Sequence, residues 1–198
     1  MTLVLASTSA ARRAMLTAAG VPHEAVAPNV DEAAVREGLA AERASPRAVA
    51  DTLAELKAVK VSRRLPGALV LGSDQVAVTA DGLLLEKPGS RDEAAAQLRL
   101  LSGATHQLIS AAVIALAGEP IWRVVDSVKI TVRSLSDAFI EQYLDTEWPA
   151  VSGCVGAYRV EAMGAQLFSS IDGSHFTILG LPLLPVLDYL RTRGLLTS

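Results

Sequence analysis

Short apolar runs alternate with amphipathic stretches along the chain. Residues 3–6 and 68–72 are apolar runs, each of the length of one buried strand. Between them, apolar residues recur at helical spacing after Ser45-Pro46, a pair that favours a helix start because proline suits the first helical position. The same spacing over residues 90–101 predicts another helix. The pattern therefore predicts strands that alternate with helices.

The second half of the chain follows a different pattern, with longer strands. Residues 106–117 and 121–132 predict two long strands joined by a turn at Gly118-Glu119-Pro120. A further strand is predicted at 166–171. The last apolar stripe at helical spacing follows Pro182 and predicts the final helix.

The apolar run at 68–72 is expected to end in Gly72-Ser73-Asp74-Gln75, before residues 76–78 continue it. A carboxylate at the carboxyl end of a strand lies where open α/β sheets place their chemistry. On position alone, Asp74 is therefore a candidate catalytic residue. The alternative is a turn aspartate that is hydrogen-bonded to its own backbone.

Residues 4–13 place two hydroxyls and two arginines at the junction of a strand and a helix. Ser7 or Ser9 can cap the helix, whose first turn offers unpaired N–H groups and the positive end of the dipole. Arg12 and Arg13 follow one turn later, so the stretch is a candidate phosphate site. The alternative is an ordinary capped helix with two solvated arginines.

Several other polar residues can be explained by ordinary structural roles. Asp31 and Glu32 lie in a turn, where Asp31 can cap the helix that follows. Lys57 and Lys60 lie beside the apolar stripe of the predicted helix, and a solvated face is the usual position of such lysines. Cys154 has no neighbouring histidine that could act as its base, so we interpret it as a small buried residue.

Composition limits the classes of function. A chain of 198 residues suits one domain, or two small lobes that share a sheet. With 51% hydrophobic and 20% charged residues, the chain is expected to fold rather than to remain disordered. The formal net charge of -3 disfavours nucleic acid as the main partner, since nucleic-acid binders are more often basic.

The sequence also limits the compartment. One cysteine excludes an internal disulfide, and the N-terminus lacks the pattern of a signal peptide. No apolar run approaches the roughly 18 residues of a membrane span, so we expect no membrane association and a cytoplasmic location. A homodimer through the apolar hairpin at 106–132 stays open, although a core role for that hairpin is favoured.

Seven short motifs occur in one order along the chain. Together they strongly resemble the Maf family, once called septum formation inhibitors and now regarded as nucleoside triphosphate pyrophosphatases, over about residues 3–190. The motifs are Ser7-Thr8-Ser9-Ala10-Ala11-Arg12-Arg13, Asp31-Glu32, Lys57-Ala58, Gly72-Ser73-Asp74-Gln75, Glu86-Lys87-Pro88, Leu101-Ser102-Gly103-Ala104-Thr105-His106 and Gly180-Leu181-Pro182-Leu183.

This resemblance implies both a fold and a reaction. The fold is an elongated α/β fold of the Maf/ITPase-like kind, a single domain over residues 1–198. It has a long mixed sheet flanked by helices, with two lobes around a central cleft. The reaction is hydrolysis of a nucleoside triphosphate between its α and β phosphates, which gives a nucleoside monophosphate and pyrophosphate. The implied cofactor is a divalent cation, Mg²⁺ or Mn²⁺.

Within the family, the chain resembles the 7-methyl-GTP pyrophosphatase branch. Ser73-Asp74-Gln75 stands where another branch has Ala-Asp-Thr, and Glu161 stands where the dTTP/UTP branch has glutamine. Ala11 is a departure, because the 7-methyl-GTP branch often has a bulky aromatic there. The preferred base, 7-methylguanine or another, is therefore left open.

The resemblance also assigns roles to single residues. Asp74, Lys57 and Glu32 are the expected catalytic residues, with Asp74 as general base, and Glu32 and Asp74 are the expected metal ligands. The expected substrate-binding residues are Ser9, Arg12, Arg13 and Lys87, and the expected base-selecting residues are Ala11, Gln75 and Glu161.

Two rival functions stay open at this point. A non-catalytic nucleotide-binding regulator of cell division would bind nucleotide without releasing pyrophosphate. A phosphatase would cut at the γ phosphate instead, although the chain has no Walker-type phosphate loop. The identity of the released phosphate product separates these functions.

Overall fold

The computed structural model describes residues 2–197. Within this range there are seven strands, β1 (Leu3–Ala6), β2 (His23–Ala25), β3 (Leu69–Thr79), β4 (Leu84–Leu85), β5 (Thr105–Leu116), β6 (Glu119–Val132) and β7 (Phe168–Asp172). The α-helices of the range are α1 (Ala10–Ala18), α2 (Glu32–Ala41), α3 (Pro46–Ser62), α4 (Arg91–Leu101), α5 (Asp137–Glu147), α6 (His175–Ile178) and α7 (Leu183–Thr192). Two 3₁₀ helices lie at Ala150–Gly153 and Met163–Leu167.

The strands form one mixed sheet in the order β2-β1-β3-β5-β6-β7, with β4 paired to β3 beside this path. Strand β1 is parallel to both β2 and β3, whereas β4 is antiparallel to β3 and β7 is antiparallel to β6. The predicted α/β class with a long mixed sheet is confirmed. Among the helices of residues 2–197, none combines the length and the apolar character that a membrane crossing requires.

The chain divides into two compact units, which are described separately here. The first unit contains the residues up to Gln75, Ile109–Asp126 and the residues from Ser174 onward. The second unit contains Val76–Leu108 and Ser127–Gly173. In the first unit, apolar side chains of β1, α1, β3, β5 and α7 pack into one core, which includes Leu5, Leu16, Leu71, Ile114, Val186 and Leu190. In the second unit, Leu98, Leu101, Ile130, Ile140 and Leu144 are fully buried.

Serine caps begin four of the helices, α1, α3, α4 and α5. Ser9, Ser45, Ser90 and Ser136 each accept a hydrogen bond from the backbone N–H three residues further on. Pro46 stands at the first position of α3, as predicted. The helix starts are therefore local properties of the sequence.

Two local predictions were wrong. Strand β3 does not end near Gly72 but continues through Asp74 to Thr79, so Asp74 lies inside a strand. Strand β1 ends opposite Gly72, whereas β3 has β5 as its neighbour on the other side and also pairs with β4 at Ala77 and Val78. Asp74 still lies two residues beyond the carboxyl end of the parallel pairing.

The second wrong prediction is the position of the turn between the long strands β5 and β6. Ala117 and Gly118 form the turn, and β6 begins at Glu119 with Pro120 inside it. Both turn residues have positive φ, 51° and 86°, as a two-residue type I′ hairpin requires. The sequence prediction placed this turn too late, because alanine has no preference for the left-handed conformation that glycine adopts readily.

Candidate active site

Lys57 is the centre of a buried group of charged side chains in the first unit. It lies on α3, is 5% exposed, and its Nζ is 2.6 Å from Asp74 Oδ1 and 2.8 Å from Glu32 Oε1. Asp74 is 4% exposed. The three expected catalytic residues, which are separated by 17 or more positions, therefore meet at one ammonium group.

Close packing of α3 on β3 places Lys57 beside Asp74. A Cβ added at Gly72 would lie 2.2 Å from the Ala54 carbonyl oxygen and 2.6 Å from the Ala58 nitrogen. Only glycine allows this approach, and Ala58 directly follows Lys57 in the helix. The glycine two residues before Asp74 thus lets the helix bring the lysine within hydrogen-bonding distance of the carboxylate.

Glu32 reaches Lys57 from the first turn of α2. The side chain of Asp31 caps this helix by accepting from the Ala34 N–H at 3.1 Å, which confirms the capping interpretation of Asp31. The cap fixes where the helix begins and therefore where Glu32 stands.

Arg36 also contacts Asp74, although no motif in the sequence indicates this residue. Its Nη2 lies 3.2 Å from Asp74 Oδ2, and its side chain is 18% exposed. The signal that was available is its spacing, because Arg36 lies four residues after Glu32 on the same helix and so shares its face.

The guanidinium of Arg12 is held by backbone carbonyls. Its Nε donates to the Gly180 oxygen at 2.8 Å, and its Nη1 donates to the Ser73 oxygen at 3.0 Å. Burial lowers the pKa of Arg12, and the nearby charges of Asp74 and Glu32 oppose that shift. Arg12 is therefore a positioned cation close to the two carboxylates.

The other expected residues of α1 are less enclosed. The hydroxyl of Ser9 accepts from the Arg12 N–H at 3.4 Å as the cap of α1, and Ala11 is half-buried. Arg13 is exposed on the same helix. The structure therefore places Arg12, but not Arg13, in the buried contacts of the first unit.

Gln75 is bound to the segment that carries α6. Its Nε2 lies 2.9 Å from the carbonyl oxygens of Thr177 and Ile178, and 3.1 Å from Ser110 Oγ. Thr177 is buried, and its hydroxyl donates to Asp126 Oδ2 at 2.5 Å. These bonds hold the segment whose Gly180 carbonyl binds Arg12.

Lys87 and Glu161 belong to the second unit, and both are exposed there. Glu161 Oε1 lies 3.6 Å from Arg159 Nε. Burial, together with the charge of Glu161, raises the pKa of the half-buried Cys154, while Arg159 and Lys87 oppose the shift. A raised thiol pKa agrees with the interpretation of Cys154 as unreactive.

Glu32 and Asp74 are the two carboxylates that contact Lys57. Within residues 2–197 there is no group of three or more His, Cys, Asp and Glu side chains that could hold a metal. Two carboxylates suffice for Mg²⁺, which keeps several of its waters, whereas Zn²⁺ in proteins usually has three or four protein ligands. The donor set therefore fits a hydrated hard cation.

The mixed sheet with its flanking helices defines an α/β protein, and Glu32, Lys57, Asp74 and Arg36 form one charged group in its first unit. The chain belongs to the Maf family, since it matches the Maf-like proteins over residues 2–193. This confirms the resemblance that the seven motifs carry.

Three relatives show how close the similarity is. Proteins of Caulobacter vibrioides and Roseobacter denitrificans, both named nucleoside triphosphate pyrophosphatase, are 52% and 50% identical to the chain over 195 and 192 residues. These alignments cover 98% and 97% of this chain, and 97% and 96% of the two relatives. A protein of Jannaschia sp. named nucleoside triphosphate pyrophosphatase 1 is 50% identical over 193 residues, covering 98% of this chain and 97% of the relative.

Proposed function

We propose that this protein hydrolyses nucleoside triphosphates between the α and β phosphates and releases a nucleoside monophosphate and pyrophosphate. The observation that carries the proposal is the convergence of Glu32, Lys57 and Asp74. Relatives about 50% identical over almost the whole chain are named for this activity. The buried carboxylate of Asp74 argues against a non-catalytic regulator, because a protein that only binds an anionic nucleotide does not need a carboxylate beside its cations.

In the proposed reaction, Asp74 accepts a proton from the attacking water. The water oxygen forms a bond to the α phosphorus while the bond between that phosphorus and the bridging oxygen breaks, so pyrophosphate leaves with the bridging oxygen. Lys57 holds Asp74 in place through their hydrogen bond of 2.6 Å. Arg12 supplies positive charge near the phosphates, and Lys87, Arg13 and Ser9 are proposed as further phosphate contacts.

We also propose that the reaction depends on Mg²⁺ or Mn²⁺. Glu32 and Asp74 are the residues that would hold the cation, because both offer carboxylate oxygens around the same ammonium group. A bound divalent cation makes water more acidic and offsets phosphate charge, which makes a carboxylate an adequate base.

We propose a modified guanine nucleotide, 7-methyl-GTP, as the first substrate to test. The proposal rests on the resemblance of Ser73-Asp74-Gln75 and Glu161 to that branch. A carboxylate such as Glu161 can accept from the N1–H and exocyclic amine of guanine. Ala11 removes a stacking surface, so other bases belong in the same screen.

The first experiment is a product assay with Mg²⁺ on canonical and methylated triphosphates. We expect monophosphate and pyrophosphate in equal amounts. Diphosphate and orthophosphate would mean cleavage at the γ phosphate and would reject the proposal.

The second experiment tests the base. Asp74→Asn should lower kcat about 10²–10⁴-fold, the usual contribution of a general base. Asp188→Asn, at an exposed position of α7, is the matched control and should retain activity. A decrease of less than tenfold for Asp74→Asn would exclude Asp74 as the base.

A homodimer and a cytoplasmic location stay predictions. Light scattering coupled to gel filtration would give the oligomeric state directly, and fractionation of the producing cells would give the location.

A further inference from the structure

We propose that Arg36 is a further substrate-binding residue, which leaves the Asp74 carboxylate and binds phosphate oxygens when the triphosphate enters the site. This inference rests on the proposed function. The comparisons with relatives do not assign a role to Arg36, and its place beside Asp74 is known only from the structure.

The contact between Arg36 and Asp74 is the weaker of the two that this carboxylate makes. Arg36 Nη2 is 3.2 Å from Oδ2, whereas Lys57 Nζ is 2.6 Å from Oδ1. The contact uses Nη2 alone, and a guanidinium carries five N–H donors in a fork that matches phosphate oxygens. Arg36 is therefore able to exchange a single bond to Asp74 for a bidentate bond to phosphate.

The local charge favours this exchange. Arg12, Arg36 and Lys57 are three cations grouped with the two carboxylates of Glu32 and Asp74. A divalent cation held by the carboxylates would compete with Lys57 and Arg36 for the same oxygens. Arg36 would then lose its carboxylate partner at the moment when a polyanion that needs a cation arrives.

The helix that carries Arg36 can follow such a movement. No residue of α2 is buried, so a shift of this helix removes little apolar surface from the core. A cavity of about 670 Å³ lies between α2 and α3. Its lining includes Val30, Ala34, Val35, Leu56, Val59 and Lys60.

The test measures binding rather than turnover. Calorimetric titrations with Mg²⁺ use three ligands, a non-hydrolysable α,β-methylene analogue of the best triphosphate substrate, pyrophosphate, and the corresponding monophosphate. They compare the wild type with Arg36→Gln and Arg36→Lys. Arg43→Gln is the control, because Arg43 is exposed just after α2 and its loss changes the net charge equally.

We expect Arg36→Gln to weaken the binding of the analogue and of pyrophosphate about 10–100-fold, the value of one charge-assisted bond, and to change monophosphate binding less than about twofold. Arg36→Lys should fall between Arg36→Gln and the wild type, since an ammonium keeps the charge but not the fork. Arg43→Gln should bind as the wild type does.

Unchanged binding of the analogue, or an equal loss for all three ligands, would overturn the role of Arg36. Arg36→Lys provides the same test if Arg36→Gln does not fold, because it keeps the positive charge beside Asp74. Failure of the proposed function looks different, since the wild type would then release no pyrophosphate from any triphosphate.

Discussion

The two units surround their most buried carboxylates in different ways. In the first unit, Asp74 has Lys57 at 2.6 Å and Arg36 at 3.2 Å. In the second unit, Glu147 is 6% exposed and accepts from the Met163 N–H at 3.1 Å, while Arg159 Nη1 is 3.6 Å away. One carboxylate therefore has two cations in close contact, and the other has a backbone donor and one distant cation.

A buried pair of polar side chains in the second unit carries no charge. In the second unit, His106 Nε2 is 2.7 Å from the Tyr158 hydroxyl, and both side chains are buried. Burial lowers the pKa of His106 to about 4 and raises the pKa of Tyr158, so both groups are neutral near pH 7. These two side chains therefore bond to each other as neutral groups, while His106 Nδ1 has no hydrogen-bond partner among the described residues.

The difference between the surroundings of Asp74 and those of Glu147 bears on the role of each carboxylate. The free energy lost when an ion pair is desolvated often exceeds the free energy gained from the attraction between its charges. Neutral or apolar packing therefore stabilises a fold as well or better. Perturbed and densely paired charges are concentrated at functional sites. The charged group of the first unit therefore agrees with the catalytic role that we propose for it.

Removal of Lys57 should have the largest effect. Lys57→Met leaves two carboxylates without their shared cation and should reduce the free energy of unfolding by about 3–5 kcal/mol, as measured by urea denaturation. The double variant Lys57→Met/Asp74→Asn should recover part of that stability and none of the pyrophosphate release. A double variant less stable than Lys57→Met would contradict the comparison.

Acid should destabilise the second unit through His106. Its folded pKa of about 4 lies below the ordinary 6.5, so the unfolded state binds a proton that the folded state does not. Stability is then full above pH 6.5 and decreases by about 3 kcal/mol as the pH falls to 4. In urea titrations over this range, His106→Gln should show a shallower pH dependence, whereas His175→Gln, at an exposed position, should match the wild type.

A methyl group at Gly180 should disturb Arg12 without breaking the fold. Gly180 has φ +94°, and an added Cβ would lie 3.2 Å from Arg12 Nη2. Gly180→Ala should cost about 1–2 kcal/mol and raise the KM for the triphosphate about tenfold. Gly194→Ala is the matched control, because Gly194 has φ +72° and nothing within 4 Å. If both variants raise KM equally, the contact with Arg12 is not the cause.

The smallest effect should come from the surface ion pairs of the second unit. Arg91 lies 2.6 Å from Glu141 and 2.7 Å from Asp145, and the three side chains are 33%, 48% and 74% exposed. Arg91→Gln should change the free energy of unfolding by less than about 1 kcal/mol, and added salt should remove the difference. If Arg91→Gln reduced the free energy of unfolding as much as Lys57→Met, the expected difference between buried and exposed ion pairs would be wrong.

The local features of the fold were predictable because each depends on a few neighbouring residues. The caps at Ser9 and Ser45 follow from side-chain hydroxyls next to apolar periodicity. The continuation of β3 over residues 76–78 was predicted, but the absence of a break at residues 72–75 was not, because it depends on neighbouring strands that are distant in sequence. Ala117 was missed because its left-handed conformation comes from the hairpin and not from its own preference.

The site was predictable as a set of residue types but not as a set of contacts. Glu32, Lys57 and Asp74 were recognised from motifs and do lie together. Arg36 belongs to no recognised motif, so its contact with Asp74, 38 positions away along the chain, is visible only in the folded structure. Gln75 was expected to select the base, and that role stays a prediction alongside its bonds to the α6 segment.

By itself, the sequence determined the alternation of strands and helices, the helix caps and the family, because these depend on local periodicity and on motifs in order. The tertiary structure alone decided which cations Asp74 meets and which carbonyls orient Arg12. Those contacts depend on the parallel register of β1 and β3, on the close approach of α3 over Gly72, and on a carbonyl 168 positions from Arg12. Such contacts form only when distant segments pack, so no local stretch of the chain contains them.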